Sequence, residues 1–581
     1  MLKDKIKKQI QEVVSQMGLE KVEFEVEHPE DMTHGDFACN VAMVIWSHLQ
    51  GEPQAQHHLG GVSSEPRSPR ELAEKVVERL HEQMSKKLVK KIEVAGPGFI
   101  NISIQEDALI KEAERVLEGK FKSKTKWGEK VMVEYAHPNT HKQFHIGHLR
   151  NISLGESITR LLEAVGIKVI RGNYQGDVGL HIAKALWGIL SISKEFNLVK
   201  SKSILERIEF LGKAYAKGAT AYEKHEKVKI EIIKINQEIY EGKGEGEVIE
   251  IYQETRNWSL EYFELIYKRV GTKYDKLYFE SECGEGLKIA KKALERGILK
   301  KSEGAVVFDG SQYGLDTRVF INSIGLATYE AKELGLAPQE FSDFGEIDKC
   351  IHVVGPEQRS FFEVTFKVEE LLDPKMFKDK QYHRVYELVD LKGGKMSSRT
   401  GREVTGWGLL EEAVKKVQAS YKVDEKTAEM IGVGAVKYSF LKVGPGVKIN
   451  FDMEEAVSLQ GNSGPYLQYT YARTQSVLLK SDSKFQVPNL ENLKEEEKVV
   501  LRSLYRFEEV VIEAAEELAP NLVANYLYDL AQKYNSFYNK CSILKAESEE
   551  QKNFRLWLTK VTGEILKRGL GMLGIEAPEK M

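Results

Sequence analysis

The sequence predicts an α/β protein: a doubly wound domain in the middle of the chain, a smaller α+β unit before it and an all-α bundle after it. Three observations carry this expectation. From Val131 onward, short apolar runs alternate with helix-length segments, the strand–helix–strand–helix order of a parallel sheet covered on both faces. From about Trp407 to the end, only amphipathic helical periodicity is visible. The length, 581 residues, is about four typical domain lengths and asks for more than one core.

In order, Leu2, Ile6, Ile10, Val13 and Met17 recur at helical spacing and predict a helix over 2–17. Asp4 and Glu12 interrupt its apolar face, so it reads as the first helix of a folded domain and not as a signal or transit peptide. An alternating strand is predicted at Val22–Val26, then the turn Thr33-His34-Gly35-Asp36 and an apolar helix. Residues 50–69 are rich in Gly, Pro, Ser and Gln and predict a mobile loop. Ser68-Pro69-Arg70-Glu71 starts a helix with a cap followed by proline. Strands at Lys91–Val94 and Phe99–Ile104 flank the turn Gly96-Pro97-Gly98.

The middle domain opens with the apolar run Val131–Tyr135, a loop, and a helix from about Gly147 to Val165 ended by Gly166. Strand Lys168–Arg171, a loop over Gly172–Gly176 and a helix through Leu190 follow. Residues 191–300 are charged and helical, as for an insertion between two halves of a sheet, and strands resume at Ile351–Val354 and Val385–Leu391.

Composition narrows the function classes. Lys plus Arg number 84 against 88 Asp plus Glu, a net charge of −4, which disfavours a histone-like or basic-tail nucleic-acid binder but permits a local positive groove. Cys39, Cys283, Cys350 and Cys541 lie far apart with no CxxC pair, disfavouring structural zinc and a disulfide framework and suiting a reducing cytoplasm. No run of apolar residues is long enough to span a membrane.

The chemistry concentrates in Glu134-Tyr135-Ala136-His137-Pro138-Asn139-Thr140-His141-Lys142-Gln143-Phe144-His145-Ile146-Gly147-His148-Leu149-Arg150, between the first strand and first helix of the α/β domain. Ligands of open α/β sheets sit at such strand ends, and a helix N-terminus favours an anion. His145 and His148 can point the same way toward a polyphosphate, and Gly147, without a Cβ, lets a base or ribose approach the backbone. Two histidines at this spacing also suit a metal pair or an ordinary surface, but the third ligand and base of a hydrolytic zinc site are missing. Far downstream, Asp390-Leu391-Lys392-Gly393-Gly394-Lys395-Met396-Ser397-Ser398-Arg399-Thr400-Gly401 reads as a glycine-hinged cationic loop that could close over a triphosphate, or as a solvated charged loop.

Together these two segments resemble the His-Ile-Gly-His and Lys-Met-Ser-Lys-Ser signatures of class I aminoacyl-tRNA synthetases, and nearly the whole chain is similar to the arginyl-tRNA synthetases. The resemblance extends over His34-Gly35-Asp36, Gly96–Asn101, Asn173–Gly179, Thr328–Lys332, Gly461–Tyr469, Asn525–Tyr528 and Gly569–Ile575. It implies a Rossmann-like catalytic domain over 120–405 with a helical insertion near 191–300, an N-terminal additional tRNA-binding domain over 1–110, and an α-helical anticodon-binding domain over 406–581. It implies arginine activation by ATP, with Mg²⁺ held by phosphates and water and no protein metal site, then transfer to the terminal adenosine of tRNA(Arg), with bound tRNA needed for activation. A cytoplasmic monomer acting on L-arginine, ATP and tRNA, with no membrane partner, is expected.

Carried over by position, the resemblance assigns catalysis to His145, His148, Lys142 and Lys395. It assigns ATP binding to His145, Gly147, His148, Lys395, Met396, Ser397, Ser398 and Arg399. Glu134, Asn139, Tyr329, Glu333 and Gln358 are expected to hold arginine, since a planar carboxylate matches a guanidinium fork. Glu333 stands where the family usually has Asp, with one more methylene of reach, and Ser398-Arg399 replaces the usual Lys-Ser, with Lys142 in the place of a compensating lysine. Tyr466, Tyr469 and Arg473 share a helical face suited to stacked bases and phosphate, and with Tyr538 and Met581 are the expected tRNA contacts. Synthetases for methionine or cysteine would show Cys/His zinc clusters, a non-catalytic tRNA-binding paralogue would lack one signature, and a small nucleotidyltransferase would lack the helical tail.

Overall fold

A computed structural model describes residues 1–18, 22–51, 66–119, 121, 123, 125–241, 246–392, 405–481 and 493–581. The chain divides into two compact units, one of Met1–Lys120, Arg473–Val510 and Asp529–Leu566, the other of Phe121–Ala472, Val511–Tyr528 and Lys567–Met581.

In the first unit, helix Leu2–Gln16 buries Leu2, Ile6, Ile10, Val13 and Val14, the apolar stripe its spacing foretold. A four-stranded antiparallel sheet runs in the order Val26–Glu27, Phe37–Cys39, Phe99–Ile104, Val89–Ala95. The strand expected at Val22–Val26 is reduced to Val26–Glu27, because only these residues find partners, Cys39 and Ala38, at the sheet edge. The loop expected over 50–69 is partly helix Val41–Gly51, and residues 52–65 lie outside the described residues. Ser68 caps helix Pro69–Gln83 by accepting from Glu71 N–H at 3.2 Å.

The helices of the last third anchor this unit with a buried ion pair. Arg555 donates from Nε to Glu497 at 2.6 Å and from Nη1 to the Ser542 carbonyl at 2.7 Å, both side chains being 2% exposed. Removing one partner leaves an uncompensated buried charge, so Arg555→Leu is expected to destabilise the unit by about 3 kcal/mol, read by urea unfolding of the full chain. An unchanged midpoint would contradict this.

The second unit is built on five parallel strands in the order Gln381–Val385, Lys349–Val354, Lys130–Glu134, Lys168–Gln175, Lys276–Phe279. The chain starts in the middle, builds to one side, then crosses to the other, which puts the topological switch point between Lys130–Glu134 and Lys349–Val354. Residues 172–175, expected as loop, continue the second strand because Lys276–Phe279 pairs with them. That partner lies within the segment read as a helical insertion, whose helices Ser193–Val199, Ile204–Lys224, Glu226–Glu241 and Glu247–Val270 end before it. A small antiparallel sheet of Lys300–Ser302, Ala305–Phe308 and Arg318–Ile321 follows.

The strand expected at Val385–Leu391 is two strands, Gln381–Val385 in the main sheet and Val389–Leu391 paired with Ile449–Phe451. The segment after Trp407 is therefore not helical throughout: Ile449–Phe451 is a strand set between helices Glu425–Leu441 and Gly464–Leu479. Periodicity cannot show a three-residue strand whose partner lies some sixty residues earlier. All four cysteines are buried and unlinked. Among the described residues, no helix is long and apolar enough to cross a membrane.

Candidate active site

The first strand ends at Glu134, and the chain then takes a strained course. Ala136, His137 and His141 all have positive φ, at 84°, 47° and 63°, a conformation costing non-glycine residues about 1–3 kcal/mol each. Neighbours hold the loop. Asn151, one turn into helix Ile146–Ala164, accepts from Ala136 N–H at 2.5 Å and donates to the Val353 carbonyl at 2.7 Å, tying the two strands of the switch point together. Ser259 Oγ accepts from His141 N–H at 2.9 Å, and His141 Nε2 lies 2.8 Å from Thr255 Oγ1. Asn139 bridges Gly176, where a Cβ would stand 2.2 Å from Asn139 Oδ1, so only glycine fits opposite this side chain.

At the start of that helix the two signature histidines bond to the backbone. The Gly147 N–H donates to His145 Nδ1 and the His145 N–H donates to His148 Nδ1, each at 3.1 Å, with the rings 3.8 Å apart. Two backbone N–H groups of this turn, those of His145 and Gly147, are thus taken up by the imidazoles themselves. An Nδ1 that accepts leaves the proton of a neutral imidazole on Nε2. Burial, with His145, His137 and Lys142 nearby, holds His148 well below the usual histidine range and keeps it neutral. Phe144 backs His148 edge-on at 4.9 Å. A Cβ on Gly147 would come within 2.9 Å of the His145 ring, so the glycine protects that ring's position. Lys142 is half-buried over the Tyr215 ring at 5.4 Å, its pKa lowered by burial and Lys184.

Lys395, Met396, Ser397, Ser398 and Arg399 lie outside the described residues. The segments on either side do bear on the site. Thr405 pairs with His145 as an antiparallel bridge, and Gly406 N–H donates to the Phe144 carbonyl at 2.6 Å. On the near side, Lys392 is exposed and paired with Asp452 at 2.8 Å.

A cavity of about 350 Å³ opens at the strand ends. Glu134, Asn139, Tyr329, Glu333 and Gln358, separated by more than two hundred residues in sequence, all line it. Tyr329 stands half out of the surface at 59% exposure, whereas Glu134 and Glu333 are buried. The cavity also carries Glu280, Glu330 and Glu357, with Arg318 among its lining residues. Arg318 is engaged with Glu330 at 2.9 Å, and Lys332 pairs with Glu280 while lying over the Tyr329 ring at 5.3 Å. An acidic wall with its cations already committed suits a cationic guest.

Both oxygens of Glu134 are engaged, Oε1 with His137 Nδ1 at 3.2 Å and Oε2 with His352 Nδ1 at 2.6 Å. Burial opposes its charge, but the two imidazoles outweigh burial and hold this carboxyl well below its ordinary range. Sequence reasoning did not find His137, His352, Glu280 or Arg318 as site residues. His352 faces Glu134 because the two are register partners in the parallel ladder, a relation that no spacing along the chain encodes.

Of the expected tRNA contacts, Tyr466, Tyr469 and Arg473 lie on helix Gly464–Leu479. Tyr466 packs edge-on against Tyr528 at 5.6 Å and Tyr469 is half-buried. Arg473 lies over the Tyr538 ring at 4.9 Å and donates to Asn535, and Met581 packs partly buried against the larger unit's core.

A doubly wound parallel sheet whose first strand leads through His-Ile-Gly-His into a helix, beside a strand-end cavity, defines a class I aminoacyl-tRNA synthetase. Residues 112–451 match the family "tRNA synthetases class I (R), catalytic domain", residues 1–104 the "Arginyl tRNA synthetase N terminal domain", and residues 467–581 the "DALR anticodon binding domain". The chain belongs to the arginyl-tRNA synthetase family. It is 32% identical to the arginine–tRNA ligase of Flavobacterium psychrophilum over 97% of each chain, and 34% identical to that of Bdellovibrio bacteriovorus over 84% of this chain and 86% of the relative. The solved Thermus thermophilus arginyl-tRNA synthetase superposes with a TM-score of 0.80 at 27% identity, covering both chains completely.

Proposed function

We propose that this arginine–tRNA ligase binds L-arginine in the cavity lined by Glu134, Asn139, Tyr329, Glu333 and Gln358, with ATP against the turn His145–His148. The observation that carries the reading is that all five residues line one acidic cavity at the switch point, from which the histidine turn departs. The substrate guanidinium stays protonated and suits the buried carboxylate Glu333, and Asn139 suits the α-amino or carboxyl end.

The substrate carboxylate attacks the α-phosphate of ATP in line, giving arginyl-adenylate and pyrophosphate. Transfer to the 2′-hydroxyl of the terminal adenosine of tRNA(Arg) follows. In-line attack needs little covalent help, so position and charge stabilisation supply the rate. His145 and His148 donate from Nε2 to phosphate oxygens, Lys142 adds a positive charge beside them, and Lys395 with Met396, Ser397, Ser398 and Arg399 closes on the leaving pyrophosphate. The N–H donors of the turn suit phosphate oxygens and not a cation; Mg²⁺ would come with ATP, held by phosphates and water, and would supply charge neutralisation. Tyr466, Tyr469, Arg473, Tyr538 and Met581 meet tRNA, and bound tRNA is required for activation. The domains are 1–110 for tRNA, 120–405 for catalysis and 406–581 for the anticodon. The chain works as a monomer in a reducing cytoplasm, the buried unlinked cysteines supporting the latter.

ATP–pyrophosphate exchange across the twenty amino acids, with and without tRNA, tests this. Exchange with arginine alone, appearing only when tRNA is added, is the expected result. Exchange driven by another amino acid would overturn the pocket assignment, and exchange without tRNA would overturn the tRNA requirement.

A further inference from the structure

Behind the cavity the interior holds more acid than it can ionise. Glu134, Glu333, Glu340 and Glu369 are 2%, 6%, 0% and 1% exposed. Glu333 and Glu340 lie two turns apart on helix Tyr329–Asp343, and Glu369 comes from helix Arg359–Leu372. The buried His352 stands among them, with Nδ1 on Glu134 at 2.6 Å and Nε2 on Gln381 Oε1 at 3.0 Å, while Gln381 Nε2 donates to Glu369 at 2.8 Å. Cys350 donates to Glu340 from 3.8 Å. One oxygen each of Glu333, Glu340 and Glu369 is buried with no hydrogen-bond partner.

Four buried carboxylates facing His352 cannot all carry charge, because each added anion meets both desolvation and the anions already present. Glu134 has the imidazoles and takes the charge. The other three hold protons, and of these only Glu333 lines the cavity. The neighbouring cations Lys332 and Arg318 are committed to Glu280 and Glu330.

We propose that arginine enters this pocket in exchange for a proton, the guanidinium docking on Glu333 as the Glu333 carboxyl releases its proton to solvent. The inference rests on the arginine assignment of the cavity. The step balances: a neutral carboxylic acid and a guanidinium cation become a carboxylate–guanidinium pair and a hydrated proton, the guanidinium keeping its own protons throughout. A second cation in the wall removes the reason for Glu333 to stay neutral.

Glu333 is faced by Glu134 and Tyr174 from two strands, by His352 from the third, by Glu340 from its own helix, by Glu369 from the next, and by Cys283. Burial, helped by Glu134 against His352, pushes it up to about 7, so the exchange falls in the neutral range. The empty pocket binds the proton and the loaded pocket does not. Arginine affinity therefore rises with pH, about tenfold per unit below about pH 7, and levels off above it. A neutral side chain of the same shape, such as that of citrulline, expels no proton.

Titration calorimetry of arginine into the full chain, with tRNA present, in buffers of different protonation enthalpy tests this. Release approaching one proton is expected at about pH 6 and almost none at about pH 8.5. Glu333→Gln should bind more weakly, without release and without the pH slope. Wild-type binding with constant affinity and no release overturns the exchange. Release that persists in Glu333→Gln overturns the assignment to Glu333. Should that variant lose all binding, the wild-type titration still decides. Arginine failing to bind the wild type at all would instead defeat the pocket assignment.

Discussion

His148→Asn should reduce arginine-dependent ATP–pyrophosphate exchange about a hundredfold, equivalent to about 2.7 kcal/mol of lost transition-state stabilisation, with little change in thermal stability. Asparagine separates the two jobs of this side chain. The His148 Nδ1 accepts from His145 N–H at 3.1 Å, closing the first turn of the helix, and an asparagine Oδ1 can occupy that place. The Nε2–H, on the far side of the ring, is the group available to a phosphate oxygen, and asparagine has nothing there. His148→Ala removes both, so it should lose the same activity and also about 1 kcal/mol of stability as the helix cap is lost. Burial, with His145, His137 and Lys142 beside it, depresses the His148 pKa, so the defect should not be relieved by lowering pH within the working range. Near-normal exchange by His148→Asn would remove the Nε2 donor from the mechanism.

The parts of the site that sequence could show are those encoded by local order. Strand, Pro138-Asn139 turn, His145 to His148 and helix follow one another along the chain, and the fold keeps that order. Tyr329 and Glu333 are one helical turn apart, so a single helix presents both to the cavity. The framework around them was not legible. Glu134 and His352 are 218 residues apart and meet only through strand register. Lys332 meets Glu280 across 52 residues, at the end of a strand, Lys276–Phe279, hidden inside a charged helical stretch. The same omission turned residues 172–175 from loop into strand. Gly176 was legible as part of a motif, but its reason, the 2.2 Å approach a Cβ would make to Asn139 Oδ1, needs the bridge between two loops. The positive φ at Ala136, His137 and His141 left no trace in composition, since tertiary bonds rather than glycine hold it.

Glu134→Gln should weaken arginine binding about a hundredfold and destabilise the larger unit by about 3 kcal/mol, because it removes one partner of a buried, hydrogen-bonded ion pair. The amide can still accept from one imidazole, but its NH₂ then faces the other, and His352 loses the anion beside it. Burial works against a charged His352, whereas Cys350 and Glu134 favour it, and the net effect is a pKa well above the usual histidine range. The pH dependence has a definite sign. Glu134, with its folded pKa depressed, contributes stability that is present above the unfolded value of about 4.3 and is lost as pH falls. His352, with its folded pKa raised, contributes stability that is full below about 6.5 and declines as pH rises toward the folded value. The wild-type advantage over Glu134→Gln should therefore peak between about pH 4.5 and about pH 6.5 and shrink on either side. Urea unfolding of both proteins across that range, with arginine affinity measured beside it, gives the comparison. A stability difference that stays flat with pH would mean that the Glu134–His352 contact carries no ionic character, and an unchanged arginine affinity would mean that this carboxylate does not shape the pocket.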